Sequence, residues 1–218
     1  MNKSLIKNKL LLFIIFLIFY SIFYLYWKRN GGLNWSISEW LINYQGGFTR
    51  RGLGGELNIF LANLFSLSLR DAIFYLQASL HTSYLILLFI YLKDLKLDIL
   101  QVFALFSPIF LLYPIAELEG IGRKEMLIFL FFTIVIFFSD KKFHSNLVNS
   151  IVFIFFPILC LIWEQIILFA PFFAVVLINK NKLSSFKETL FKLFLIFLPS
   201  IFFIIVIFVS PLSIEGHF

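Results

Sequence analysis

Charged residues and cysteine are scarce in this 218-residue chain. Only 14% of the residues are charged and 61% are hydrophobic, whereas an ordinary soluble domain is about 25% charged and about 45–50% apolar. A water-soluble globule is therefore excluded. The single cysteine, Cys160, lies within an apolar run and can form no intramolecular disulfide, so a disulfide-stapled secreted fold is excluded as well.

The apolar residues also lack the alternation with polar residues that the strands of a membrane β-barrel require. They form runs long enough to cross a bilayer core of about 30 Å, which needs roughly 20 helical residues. The sequence therefore predicts an all-α, polytopic transmembrane helical bundle, with residues 1–218 as a single transmembrane domain. Seven runs are the candidate spans: 10–27, 71–92, 99–116, 121–138, 151–163, 166–178 and 190–209.

The distribution of lysine predicts the orientation of these spans. The first run follows three lysines and lacks a small-residue cleavage pattern, which indicates an uncleaved signal anchor and a cytoplasmic N-terminus. Seven spans then place the C-terminus outside and most lysines in cytoplasmic connections, as the positive-inside rule expects. The lysines in these connections are Lys93, Lys96, Lys141, Lys142, Lys180, Lys182, Lys187 and Lys192.

Residues 151–178 decide whether the number of spans is odd or even. One helix over these residues would be about 42 Å long, and it would put the lysine-rich loop that follows on the outer side. We therefore predict two short helices that meet near Glu164, below the outer surface. An ionisable residue at that depth is a functional candidate, and the alternative is a hairpin tip that reaches water.

All the arginines fall on the outer side of this topology: Arg29, Arg50, Arg51, Arg70 and Arg123. The positive-inside rule disfavours that placement. It therefore indicates a use for the planar guanidinium, such as holding a phosphate or a carboxylate. The alternative is that these side chains extend to lipid headgroups at the ends of helices.

The outer loop, residues 28–70, is the only long hydrophilic connection, and it should carry two short interfacial helices. Ser36 and Glu39 have the spacing of a capping box at the start of the first one. A second helix is predicted over 56–69, and Ser68 should cap the span that follows. Two tryptophans are expected to anchor the first helix in the membrane: Trp35 and Trp40.

A glycine–arginine segment, residues 46–56, lies between these two helices. Glycine permits positive φ and close approach of the backbone to a ligand, while the adjacent Arg50 and Arg51 supply the charge that a phosphate needs. The pattern is neither a Walker A loop nor a Rossmann turn. We predict phosphate binding here, with a flexible basic turn as the alternative. The glycines of this predicted loop are Gly46, Gly47, Gly52, Gly54 and Gly55.

A second outer cluster, with Arg123 and Lys124, opens the run 121–138. A helix N-terminus that carries arginine and lysine favours an anion both through the helix dipole and through charge. The alternative is a capped helix start in which Glu125 alone suits the dipole. The histidines do not fall at metal-ligand spacing, so we expect no metal site and no cofactor.

Three motifs carry a resemblance to a known class: Tyr44 to Leu53, Gly122-Arg123-Lys124-Glu125 and Trp163-Glu164-Gln165. Together they look like a pattern in bacterial polytopic membrane proteins of surface-polysaccharide synthesis. The architecture is similar to that of the GT-C membrane glycosyltransferases, which use a polyprenyl-phosphate sugar donor and carry a carboxylate in the first outer loop. By position, the resemblance implies that this carboxylate is Glu39 or Glu56. The loop departs from the family because it has no two adjacent acidic residues.

The resemblance implies an inverting glycosyltransferase or a polysaccharide polymerase, acting on a polyprenyl-phosphate-linked sugar at the outer face of a bacterial inner membrane. The candidate catalytic residues are Glu56, Glu39 and Glu164. We favour Glu56 as general base because it closes the glycine–arginine segment, whereas Glu39 is expected to cap its own helix. The alternatives are a transporter or flippase of a lipid-linked phosphate and a non-catalytic membrane subunit. The lipid bilayer and the lipid-linked sugar are the expected partners, with no nucleic acid, and the abrupt end at Phe218 leaves open a partial reading frame.

Overall fold

The computed structural model describes residues 3–31, 35–93, 95, 98–107, 111–140, 143–181 and 185–210. This part of the chain is helical and contains no strand, which confirms the all-α class. Its α-helices are α1 (Lys3–Asn30), α2 (Trp35–Leu41), α3 (Leu53–Phe65), α4 (Leu69–Leu92), α5 (Ile99–Leu105), α6 (Tyr113–Ala116), α7 (Glu125–Asp140), α8 (Ser145–Ile162), α9 (Ala170–Asn181) and α10 (Phe186–Val209). Two short 3-10 helices cover Leu118–Gly120 and Glu164–Phe169.

Within the described ranges, five helical segments are long and apolar enough to cross a membrane, which indicates a multi-pass membrane protein. Each of them overlaps one of the spans predicted from the sequence. The predicted number of seven is not confirmed, because the runs 99–116 and 121–138 give no helix of that length. The five segments are Lys7–Asn30, Leu69–Leu92, Ser145–Ile162, Glu164–Asn181 and Phe186–Val209.

Residues 99–116 do not form the single helix expected for them. Helix α5 ends at Leu105, and α6 is only one turn long. The sequence places Ser107 directly before Pro108, and a residue before proline is disfavoured in the α conformation. Apolar character alone therefore overestimated the length of the helix in this run. It takes no account of the backbone hydrogen bonds that proline interrupts.

The run 121–138 becomes helical only from Glu125, where α7 begins. Gly122 has a φ of +88°, a left-handed conformation that cannot belong to a right-handed helix. The 16 residues of α7 are about 24 Å long, somewhat shorter than an ordinary span. The charged residues before α7 thus belong to a structured turn rather than to the helix itself.

Helices α4 and α7 run parallel to each other. Gln77, early in α4, contacts Gly122 just before α7, and the rings of Tyr84 and Phe129 lie 6.3 Å apart further along both helices. The chain between two parallel neighbours has to return from one end of the bundle to the other. The described residues between α4 and α7 form only the short helices α5 and α6 and the 3-10 helix Leu118–Gly120.

Helices α8 and α9 form an antiparallel hairpin with Glu164 at its turn. The side-chain amides of Asn149, near the start of α8, and Asn181, at the end of α9, donate to each other at 3.0 Å. Trp163 is extended, with φ −155° and ψ 104°, and it separates α8 from the 3-10 helix Glu164–Phe169. Two helices therefore meet at Glu164, as we predicted for residues 151–178.

Aromatic packing holds the hairpin against its neighbours. The ring of Phe156 in α8 packs edge-to-face against Phe173 of α9 at 5.1 Å and against Phe197 of α10 at 5.2 Å. Phe131 of α7 stacks on the opposite side of Phe173 at 5.3 Å. Such pairs stabilise a bundle beyond the effect of their buried area. The two helices that flank the turn at Glu164 are thus tightly packed against α7 and α10.

The five arginines lie at one end of the bundle, which we call the arginine end. Arg29, at the end of α1, forms an ion pair with Asp71 at the start of α4. Arg70 donates to the backbone oxygen of Gly31 at 2.6 Å and so joins the same two helix ends. The other three arginines lie in the segments that meet the turn at Glu164.

Lysines cluster at the opposite end, which we call the lysine end. Lys180, in the last turn of α9, donates to the backbone oxygen of Ser139 at 2.6 Å. Lys192, in α10, donates to Asn181 Oδ1 at 2.6 Å. Four of the lysines predicted for the cytoplasmic connections lie outside the described residues: Lys96, Lys141, Lys142 and Lys182.

The two short helices of the outer loop lie at the arginine end with shifted boundaries. Helix α2 begins at Trp35, so Ser36 lies inside its first turn rather than before it. Helix α3 begins three residues before the predicted start and ends where Ser66 adopts a left-handed conformation, with φ +53°. Ser68 caps α4 by accepting from the backbone N–H of Asp71 at 3.1 Å, which confirms the predicted cap.

The hairpin predicts that residues at the arginine end and residues at the lysine end are accessible from opposite sides of the membrane. In a Cys160→Ala background, a cysteine at Gln45, exposed at the arginine end, should react with an impermeant maleimide in intact cells. A cysteine at Ser185, which directly precedes α10 at the lysine end, should react only after permeabilisation. Labelling of both positions in intact cells would contradict the hairpin, and the reverse pattern would invert the predicted orientation.

Candidate functional site

An ion pair between Arg51 and Glu164 lies at the centre of the arginine end. Arg51 Nε donates to both carboxylate oxygens of Glu164, at 3.0 and 2.9 Å, and Nη2 donates to Oε1 at 2.7 Å. The two side chains are 25% and 13% exposed. Hydrogen bonding to the Glu164 carboxylate raises the pKa of Arg51 above its already high ordinary value. The guanidinium is therefore a permanent cation held in a bidentate geometry.

Glu39 of α2 is the second carboxylate beside Arg51. Its Oε1 lies 3.8 Å from Arg51 Nη1, beyond hydrogen-bond distance, and its side chain is 16% exposed. No closer partner of this carboxylate occurs among the described residues. Glu39 thus lies at the ion pair and retains oxygen lone pairs that could accept from a ligand.

Lys124 lies behind the ion pair and is completely buried. Its ammonium donates to the backbone oxygens of Ile162 at 3.2 Å and of Arg51 at 3.3 Å. Desolvation lowers the pKa of Lys124 to about 8, an effect that Glu39 and Glu164 oppose and the neighbouring Arg51 charge reinforces. In this conformation Lys124 ties the glycine–arginine segment to the end of α8, and it has no surface from which to contact a phosphate.

The turn before Lys124 is held by two side chains that bind the same carbonyl. Trp40 Nε1 and Gln77 Nε2 each donate to the oxygen of Gly122 at 2.8 Å. A Cβ atom at Gly122 would lie 2.9 Å from Leu25 Cδ2, so the positive φ and the close packing both require glycine. These three residues, which the sequence analysis did not assign to the site, fix the position of Lys124.

Trp40 therefore corrects our prediction that both tryptophans of α2 anchor the helix in the membrane. Trp40 is 0% exposed and contacts the ion cluster, with its ring 5.7 Å from the Lys124 ammonium. Trp35 is 68% exposed, which suits an anchor. The pattern of α2 gave both tryptophans the same role because it does not identify which neighbour covers each face of the helix.

The glycines of residues 46–56 serve close packing. A Cβ atom at Gly55 would lie 2.1 Å from the backbone oxygen of Ile42, and one at Gly52 would lie 2.2 Å from the ring of Tyr44. The N–H of Gly55 donates to the oxygens of Ile42 and Gly52, so it is already occupied. Gly54 is also buried against Ile162 and Lys124, whereas Gly47, with φ +108°, shapes the turn before Arg50.

Glu56, the predicted general base, lies in the first turn of α3. Its Oε1 accepts from the backbone N–H of Tyr44 at 2.8 Å, a contact that closes the glycine–arginine segment on itself. Burial raises the pKa of Tyr44, and the nearby charge of Glu56 adds to that effect. None of the ion pairs between described residues connects Glu56 to Arg50 or Arg51, so its carboxylate belongs to a separate contact.

Arg50 and Arg123 are the cations of the predicted phosphate site that remain available. The Arg50 guanidinium lies 5.0 Å from the ring centre of Phe208, near the end of α10, and its Nε has no hydrogen-bond partner among the described residues. Arg123 is 37% exposed and lies 3.9 Å from Glu125. Of the four predicted cations, Arg51 and Lys124 are therefore enclosed, whereas Arg50 and Arg123 have N–H donors that could bind a ligand.

The side chains of this end have the chemistry to bind an anion and to accept a proton. Within the described ranges, no group of three or more histidine, cysteine, aspartate or glutamate residues is arranged to hold a metal ion. Guanidinium groups suit phosphate and carboxylate oxygens, and a nearby carboxylate can accept a proton from a hydroxyl. A phosphate-bearing ligand with a hydroxyl-bearing partner would match both functions.

Comparison with protein-family models, with curated proteins and with solved structures finds no match for this chain. No family is therefore available to assign the residues of the arginine end. The contacts, the burial and the charge of these residues are therefore the basis for a proposed function.

Packing at the glycine–arginine segment predicts unequal effects of alanine. Gly55→Ala should lower the stability by roughly 1–3 kcal/mol, because the new Cβ meets a backbone oxygen that cannot rotate away. Gly31→Ala is the control and should lower the stability less, since Gly31 has no left-handed φ and a Cβ atom there would lie 3.3 Å from the nearest atom, the backbone oxygen of Lys28. Thermal unfolding in detergent measures both, and an equal midpoint in the two variants would contradict the packing role.

Proposed function

We propose that this protein is a membrane glycosyltransferase or polysaccharide polymerase, acting at the arginine end on a polyprenyl-phosphate-linked sugar. The arginine end would then face the outer side of a bacterial inner membrane, in keeping with the lysines at the other end. The lipid-linked phosphate would bind to the cations, and a carboxylate would activate the acceptor sugar.

The observation that carries this proposal is the convergence of charge at one end of an apolar bundle. Glu39, Arg51, Lys124 and Glu164 come from four separate segments and lie within one contact network. Burying charged groups is unfavourable unless they are paired, and an apolar contact would join the same segments more simply. Such a network at one end of the bundle suits a protein that handles a charged substrate there.

The position of Arg50 supports a lipid-linked substrate in particular. Its guanidinium lies beside Phe208, and the outward face of α10 continues from there into the membrane region with exposed apolar side chains. Among these, Phe202, Ile205 and Phe208 are 61%, 55% and 59% exposed. A phosphate on Arg50 would therefore have an apolar surface directly below it for a polyprenyl chain.

The reaction needs one base and one group of cations. The acceptor hydroxyl oxygen forms a bond to the anomeric carbon, its proton passes to the base, and the bond to the lipid phosphate breaks with the electron pair on the phosphate. Arg50 and Arg123 would stabilise the negative charge on that phosphate. Glu39 suits the base better than Glu56, because it lies at the ion cluster and its carboxylate accepts no hydrogen bond from any described residue, whereas that of Glu56 accepts from Tyr44.

A transporter or flippase of a lipid-linked phosphate is the second candidate. It is favoured by the hairpin turn, where a partly buried carboxylate lies at a break between two helices, an arrangement typical of transporters. The two candidates differ in one measurable property, because a transporter would bind the lipid phosphate and transfer no sugar. A non-catalytic membrane subunit would do neither.

The roles of the two loop carboxylates can be separated by turnover. In vesicles that contain a polyprenyl-phosphate sugar and an acceptor, Glu39→Gln should reduce transfer by at least about a hundredfold, the usual contribution of a general base. Glu56→Gln is the matched control and should retain most activity, since an amide oxygen can still accept from Tyr44. Loss of transfer in Glu56→Gln with full activity in Glu39→Gln would return the base to Glu56.

Lipid-phosphate binding tests Arg50 independently of turnover. Arg50→Lys should weaken the binding of a polyprenyl monophosphate by about tenfold, because lysine retains the charge but cannot form two parallel hydrogen bonds. Arg70→Lys is a matched control at the same end, where the arginine donates to the backbone oxygens of residues 29 and 31. Equal affinity of wild type and Arg50→Lys would remove Arg50 from the site.

A further inference from the structure

The guanidinium of Arg51 is already bound to an oxyanion. Its Nε and Nη2 both face the Glu164 carboxylate, at distances of 2.7 to 3.0 Å. The same side of a guanidinium binds phosphate through two parallel hydrogen bonds, with similar distances. A carboxylate and a phosphate therefore compete for the same donors, and they cannot occupy them together.

The charges around Arg51 would allow an external anion to replace the charge of the Glu164 carboxylate. Arg51 and Lys124 carry two positive charges, and Glu39 and Glu164 carry two negative ones, while the charge of Glu125, which also reaches Arg51, is offset by Arg123 at 3.9 Å. If Glu164 moved away, one positive charge would remain without a partner next to the buried Lys124 ammonium. An anion that entered from outside would restore the balance, and a phosphate would do so with better geometry than water.

The side chain of Glu164, rather than its backbone, is suited to such a movement. Glu164 is the first residue of a 3-10 helix that one extended residue, Trp163, separates from α8. Trp163 and Ile166 are buried in the core, so the backbone of the turn is held in place. The Glu164 carboxylate is 13% exposed and can leave Arg51 by rotation about its own side-chain bonds, without unpacking α8 or α9.

Arg51, in contrast, is fixed in place. Its backbone has a φ of +66°, and its carbonyl oxygen accepts from the buried Lys124 ammonium at 3.3 Å. The same ammonium holds the Ile162 carbonyl, at the end of α8, at 3.2 Å. The cationic side of the pair therefore stays when the carboxylate leaves.

We propose that Glu164 is an internal anion that occupies part of the phosphate site at Arg51, and that the phosphate of the lipid-linked substrate must displace it. This inference rests on the proposed lipid-phosphate substrate and adds a control of access to its site. The affinity that is measured is then lower than the intrinsic affinity, in proportion to the fraction of molecules in which Glu164 is displaced.

The test compares the affinity of wild type and Glu164→Gln for two probes, a polyprenyl monophosphate in lipid nanodiscs and inorganic phosphate in solution. A neutral amide holds Arg51 less tightly than a carboxylate, so the dissociation constant should fall by about tenfold or more in Glu164→Gln. Glu188→Gln, an exposed glutamate of α10 near the lysine end, is the matched control and should leave the affinity unchanged. Tighter binding of both probes would assign the site to phosphate itself, and of the lipid alone to the headgroup with its chain.

Two further variants make the outcome decisive. Arg51→Lys combined with Glu164→Gln should lose the gain, because the phosphate would no longer meet a guanidinium. If Glu164→Gln does not fold, Glu164→Asp retains the charge but is one methylene too short to reach both donors, and it should also bind more tightly. Unchanged or weaker binding in a folded Glu164 variant would overturn the inference.

The result also remains separate from the proposed enzymatic activity. Tighter binding in Glu164→Gln without any sugar transfer by wild type would support the internal anion and count against the glycosyltransferase. Sugar transfer by wild type with no gain of affinity in Glu164→Gln would support the enzyme and overturn the internal anion.

Discussion

A charge at the end of an apolar bundle has to be matched where it lies, and the Arg51–Glu164 pair meets that requirement here. Three hydrogen bonds join two residues that are 113 positions apart in the sequence. Removal of either partner would leave the other without compensation, which is strongly unfavourable in a partly dehydrated site. The outer loop, the hairpin turn and the segment before α7 therefore depend on one another for their positions.

The backbone around this pair is unusual. Gly122 and Arg51 both adopt positive φ, and Lys124, two residues after Gly122, joins its own segment to the carbonyl oxygens of Arg51 and Ile162. Strained residues persist where surrounding contacts determine them, and such places are often functional. The arginine end thus combines a fixed cationic frame with one carboxylate, Glu164, that stands on a short 3-10 segment.

Much of the fold could be predicted from the sequence, because the thickness of a bilayer sets the length of its helices. The break at Glu164 was also predictable, since 28 residues suit neither one ordinary span nor two full ones. Residues 99–116 were not, although Pro108 and Pro114 within that run were a visible signal. A count of apolar residues measures the preference for lipid and ignores the hydrogen bonds that a continuous helix needs.

The site was predictable in its residue types but not in its contacts. The positive-inside rule disfavours arginines on the outer side, and this pointed to Arg51. The free-energy cost of placing a glutamate within the membrane pointed, separately, to Glu164. Nothing local in the sequence relates them, and nothing local shows that Lys124 is buried or that Trp40 reaches the Gly122 carbonyl, 82 positions away. Short-range patterns describe one element at a time, whereas this site is made by four segments that meet only in the folded bundle.

A structure of the protein with a bound polyprenyl monophosphate would show whether the phosphate replaces Glu164 at Arg51. We expect the phosphate to lie within hydrogen-bond distance of Arg50 and of Arg51 Nε and Nη2, with its chain along α10 and with the Glu164 carboxylate withdrawn. A bound lipid phosphate elsewhere on the bundle, with all three Arg51–Glu164 hydrogen bonds still in place, would contradict this expectation.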